Sequence, residues 1–187
     1  MGTGAWLVFI LLVLLVLWSI VIYNSFVRMN ASIDNAYKQI DVQLKRRYDL
    51  IPNLVEAVKG YMKFEKETLE AVINARSKAM AAPPGAEKFA AEGTLSGVLG
   101  RLLAVAENYP DLKSNEQVKT LMEELRTTEN QLAFARQYYN DSVMRLNTKI
   151  GQFPSNIIAG LFNFKPKDYF QVEQSAKATP KVDININ

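Results

Sequence analysis

The run AWLVFILLVLLVLWSIVIY, from Ala5 to Tyr23, carries no charge and almost no polar group. As a helix it rises about 28 Å at 1.5 Å per residue, close to the roughly 30 Å of a bilayer's hydrocarbon core. In lipid the backbone must satisfy its own hydrogen bonds, so a helix is the required form. Trp6 and Tyr23 stand near the two ends, where amphipathic rings anchor at the membrane interface. No Lys or Arg precedes the run and no small-x-small pattern follows it, so a retained anchor is expected and not a cleaved signal peptide. Basic residues begin after the run, at Arg28, Lys38, Lys45, Arg46 and Arg47. The positive-inside rule then places the N-terminus outside and the body in the cytoplasm.

Beyond the run, apolar residues recur three and four apart. Ile33, Tyr37, Ile40, Leu44 and Tyr48 are followed after Pro52 by Leu54, Val55, Val58, Tyr61, Met62, Leu69 and Val72. This is a helical period. Pro52 lacks an N–H and disfavours helix in the residue before it, and Asp49 is a candidate cap. The pattern therefore predicts helices over 24–48 and 52–80, with one long helix kinked at Pro52 as the alternative. Ala81-Ala82-Pro83-Pro84-Gly85 signals a loop. Leu95, Val98, Leu99, Leu102, Leu103 and Ala106 mark a third helix, ended by Asn108-Tyr109-Pro110-Asp111. Ser114 and Gln117 have the spacing of a capping box for a fourth. That helix carries the cleanest seam, through Val118, Leu121, Leu125, Thr128, Leu132, Ala135, Tyr139, Ser142, Leu146 and Ile150, and stops at Gly151 and Pro154.

Four helices with short connections predict an all-α fold: an antiparallel up-and-down four-helix bundle preceded by one transmembrane helix. The expected organisation is an anchor over 1–23, the bundle over 24–152, an aromatic membrane-proximal segment over 153–170 and a tail over 171–187. Val182, Ile184 and Ile186 alternate in that tail as a strand would, although a disordered terminus is the simpler expectation.

The chain has no Cys and no His. Disulfides, thiolate zinc sites, Cys nucleophiles and His-based acid–base chemistry are excluded with them. A di-iron bundle site needs Glu-x-x-His pairs, so that signature also fails, and Glu67 and Glu70 read as exposed charge. No catalytic residues, cofactor or metal are expected. The net charge of +3 is mild, and the mixing of acidic with basic residues is unlike the basic stripe of a nucleic-acid binder.

The block IDVQLKRRYDLIPNLVEAVKGYMKFEKETLEAVINAR closely resembles the LemA family. So do AENYPDLKSNE, ELRTTENQLAFARQYYNDSV and FPSNIIAGLFNFKPKDYF, in order, from Tyr23 to Phe170. The resemblance implies a single-pass bacterial membrane protein with an up-and-down four-helix bundle and no assigned enzymatic activity; with the body placed in the cytoplasm, the membrane expected is the bacterial inner membrane.

Three places are candidates for function. Lys45-Arg46-Arg47 is the densest basic cluster. On a helix leaving the bilayer it lies about 30 Å beyond the surface, so it reads as a solvated helix end or, next, as a contact for a partner protein. Glu129, Asn130, Arg136 and Asn140 fit either a buried polar network fixing bundle register or ordinary surface pairing. The stretch 153–170 carries Phe153, Ile157, Ile158, Leu161, Phe162, Phe164, Tyr169 and Phe170 among Lys165 and Lys167. Such a mixture suits a membrane interface, and it equally suits a cap on the open end of a bundle core. The partners expected are the lipid bilayer, further copies of the chain in a self-assembling scaffold, or, alternatively, a membrane protein recruited by an adaptor.

Overall fold

The computed structural model describes residues 2–62 and 65–170. Among these residues there are six helices and no strand: α1 (Thr3–Lys59), α2 (Lys66–Ala81), α3 (Ala86–Ala106), α4 (Pro110–Ser114), α5 (Glu116–Gly151) and α6 (Ser155–Leu161). The alternation at Val182, Ile184 and Ile186 lies outside the described residues. Two compact units form, one from Met1–Val42 with Leu132–Tyr169, the other from Gln43–Gln131 with Phe170. The division therefore runs through the body expected as a single domain over 24–152, and both α1 and α5 contribute to both units.

α1 continues through Pro52 as one helix, the alternative reading, and this corrects the break expected there. A proline leaves the carbonyl four residues earlier without its helical donor. Here that carbonyl belongs to Tyr48, and the Arg76 guanidinium donates to it at 2.8 Å. α1 ends only at Lys59, and the second helix begins at Lys66 and not at 52. Arg76→Ala is expected to cost about 1 kcal/mol, the worth of a hydrogen bond to an acceptor that is only part-buried. A denaturant titration followed by circular dichroism measures it. Adding Pro52→Ala restores the missing N–H and should recover most of the loss; an unchanged midpoint in the single variant would refute the compensation.

The N-terminal part of α1 has a mean hydropathy of 3.1 over its most apolar window and none of that window is buried. By length and composition it is able to cross a membrane. α3 passes the same test at a mean hydropathy of 1.3, but it places Leu95, Leu99 and Leu102 in the core of the second unit. That core also draws on Ile51, Leu54 and Val58 of α1, Val72 and Ala79 of α2, Leu112 of α4, and Val118 and Leu125 of α5. The α2–α3 turn ends on Gly85 at φ 117°, a left-handed conformation that glycine adopts without steric cost. α5 is capped by Asn115, one residue later than expected: its Oδ1 accepts from the N–H groups of Gln117 at 3.0 Å and Val118 at 3.2 Å. Ser114 instead closes α4, donating to the Asp111 carbonyl. The predicted seam of α5 does turn inward, with Val118, Leu125, Thr128, Leu132, Tyr139, Ser142 and Leu146 buried.

Candidate membrane-proximal site

In the first unit the chain after α5 returns to the foot of the apolar run. α6 buries Ser155, Ile158 and Ala159, while Ile157 and Leu161, one turn apart on its other face, are 59% and 73% exposed. Phe153 just before it is 81% exposed and Phe162 just after it 51%. Asn163 takes a left-handed conformation at φ 57°, which asparagine tolerates better than most residues. The chain there turns back onto α1. Phe162 packs on Tyr23 with ring centroids 4.7 Å apart, and Phe164 lies 5.7 Å from Tyr23 and stacks on Phe26 at 4.8 Å.

The following residues are irregular but tied down. Asn147 clamps the backbone of Lys167, its Nδ2 donating to the carbonyl and its Oδ1 accepting from the N–H, both at 2.9 Å. The Tyr139 hydroxyl donates to the Asp168 carbonyl at 3.1 Å. Burial, and then the charges of neighbouring groups, push that phenol above its usual range, so it stays a donor. Lys167 pairs with Asp34 at 2.9 Å. Lys149 donates to Ser25 at 2.7 Å and lies 6.0 Å over the Phe26 ring.

Of the expected interface residues, Tyr23, Phe162 and Phe164 thus meet in one aromatic cluster, Phe153 and Ile157 stand exposed beside it, and Trp6 sits exposed at the far end of the run. One side of the segment is packed as core and the other is exposed. Phe170 departs from the rest. It is buried in the second unit against Phe89, ring centroids 4.1 Å apart.

The basic cluster also divides. Lys45 and Arg46 are exposed, and Arg46 reaches only a loose pairing with Glu124 at 3.9 Å. Arg47 is fully buried, which corrects its expected role as a solvated or partner-facing charge. Its guanidinium donates to Glu92, to Ser96 at 2.8 Å and to Glu129 at 2.8 Å. Ser96 donates to Glu129 at 3.0 Å, Tyr48 donates to Glu92, and Lys88 stands 3.5 Å from the same carboxylate. A buried polar network thus joins α1, α3 and α5 of the second unit. Of the residues expected to form such a network it takes Glu129; Arg47 and Glu92 were not expected in it. Among the described residues no three acidic side chains gather as a metal-ligand set.

A family profile described as LemA family matches residues 36–184. Magnetosome protein MamQ 2 of Paramagnetospirillum magneticum is 27% identical over 184 residues, covering 84% of this chain and 67% of its own. Magnetosome protein MamQ of Magnetospirillum gryphiswaldense is 25% identical, covering 88% and 70%. Protein LemA of Metamycoplasma hominis is 26% identical over 165 residues, covering 88% and 74%.

Proposed function

We propose a function from one premise: this chain belongs to the LemA family. It is a non-enzymatic scaffold held in the bacterial inner membrane by the apolar part of α1, with the N-terminus outside and the helical body in the cytoplasm. It self-assembles, and in doing so organises or remodels the bilayer. The four helical segments that build the core of the second unit, from α1, α2, α3 and α5, run up and down as a bundle. The observation that carries this reading is the aromatic platform at the foot of the apolar run. Phe153, Ile157, Leu161 and Phe162 are exposed beside Tyr23, the last residue of that run. Apolar surface of this kind seldom stays in water, and a bilayer is the apolar phase at hand. The chain then grips the membrane twice, by a span and by a surface patch. Self-assembly is supported by a second exposed aromatic pair, Phe134 and Tyr138, one turn apart on α5. The likeness to magnetosome proteins points toward membrane organisation as well.

Because the chain has no cysteine, a nitroxide on Leu161→Cys reports one position cleanly. In the reconstituted full-length protein it should collide more with oxygen than with a water-soluble nickel chelate. The reverse order would remove the second grip. Purification in mild detergent followed by imaging should show large regular particles that shrink in Phe134→Ser. A monomer holding a stoichiometric partner would transfer the reading to an adaptor.

A further inference from the structure

Within the first unit, the stretches 1–33 and 142–167 contain no acidic residue, and the unit's four carboxylates, Asp34, Asp41, Asp141 and Asp168, lie just outside them. Between them they hold Arg28, Arg145, Lys149, Lys165 and Lys167. Taking these five from the chain's 22 Lys and Arg leaves 17, against all 19 Asp and Glu. The whole positive excess of the protein therefore resides in these two stretches.

They are more than a hundred residues apart in sequence, and folding brings them together. Lys149 meets Ser25 and Phe26, Phe164 stacks on Phe26, and Phe162 packs on Tyr23. Asp34 takes up the charge of Lys167. Arg28, Arg145 and Lys165 are exposed, and no carboxylate pairs with them among the described residues. Arg28 follows Tyr23 by little more than one turn of α1, Lys165 adjoins the Phe164 that stacks on α1, and Arg145 is one turn from Lys149. The result is a net cationic collar at the foot of the apolar helix, beside an exposed apolar patch, in which Lys167 alone is paired with a carboxylate among the described residues.

We propose that this collar binds the headgroups of anionic phospholipids and enriches them around the span. Lys and Arg place apolar stems along hydrocarbon and hold their charges at the phosphate level, and a cation near an anionic membrane surface strengthens association by about fivefold. The idea rests on the docked reading of α6, which puts the patch in the interface and so carries Arg145, Lys149 and Lys165 to headgroup depth.

The test uses the full chain in phosphatidylcholine bilayers with a trace of spin-labelled phosphatidylglycerol or phosphatidylcholine. Electron paramagnetic resonance reads the share of each lipid held at the protein. Phosphatidylglycerol should be preferred at least fivefold over phosphatidylcholine. Arg28→Gln, Arg145→Gln and Lys165→Gln combined should bring the ratio close to one; all three are surface positions, so circular dichroism should show helix content unchanged. Equal retention of the two lipids by the unmodified chain would overturn the proposal, and is the result expected if the collar serves an acidic protein instead. A preference that survives the triple substitution would overturn it too. The nitroxide on Leu161→Cys separates the two readings. A label in lipid with no headgroup preference defeats this inference alone, whereas a label in water defeats both.

Discussion

Arg47→Met should lower the stability of the second unit by about 3 kcal/mol, the lower end of the 3–5 kcal/mol usual when one partner of a buried ion pair is removed. The methionine fills much of the same space, so the loss is electrostatic and not a cavity. Glu92, with a fully buried side chain, is then left with the Tyr48 hydroxyl and Lys88 alone. Those two groups are why the cost stays at the lower end. Glu129 is partly open to water and suffers less. Removing both charges of the central pair, as Arg47→Met with Glu92→Leu, should cost less than Arg47→Met alone, because no buried charge is then stranded. Chemical denaturation of the four members of this double-mutant cycle measures it. A loss below about 1 kcal/mol in Arg47→Met would mean that the network contributes no more than an exposed pair.

Phe170→Ala should destabilise the same unit by a similar amount, about 3–5 kcal/mol, the usual cost of emptying a buried phenylalanine site. The ring is 2% exposed and lies against Phe89, itself 2% exposed. Phe89→Ala should lose about as much. The double variant should lose less than the sum, since the favourable contact between the two rings can be lost only once. Tyr169→Ala is the control: its side chain is exposed, and surface changes of this kind stay within about 0.5 kcal/mol. Equal effects at 169 and 170 would show that Phe170 contributes no core packing.

Much of the architecture was readable from periodicity. The inward seam of α5, the α2–α3 turn and the uncharged run of α1 all follow from local rules, because each depends on residues close in sequence. Pro52 misled for a reason that local rules do not contain. The carbonyl it orphans is satisfied by Arg76, which approaches from α2. The cap of α5 falls one residue later because the Asn115 side chain accepts from the N–H groups of Gln117 and Val118, while the Ser114 hydroxyl is engaged by the Asp111 carbonyl of α4.

The buried charges carry a signal in the sequence. Arg47 sits three residues after Leu44 and four before Ile51, on the apolar seam of α1. Glu92 sits midway between Phe89 and Leu95 on the seam of α3. A charge in register with a seam is a candidate for burial when an opposite charge occupies another seam. Reading Lys45-Arg46-Arg47 as one cluster hid this, since consecutive helical residues point about 100° apart.

The sequence by itself determined the helical class, the family and the apolar span, because composition and period carry each of them. Only the tertiary structure decided which charges are buried and where the cationic residues collect. Arg28 and Lys149 are separated by the whole of the second unit's chain, and no local pattern relates them. Their meeting at the foot of α1 depends on α5 returning there and on Phe162 and Phe164 closing over Tyr23 and Phe26. Packing, not propensity, selects that arrangement.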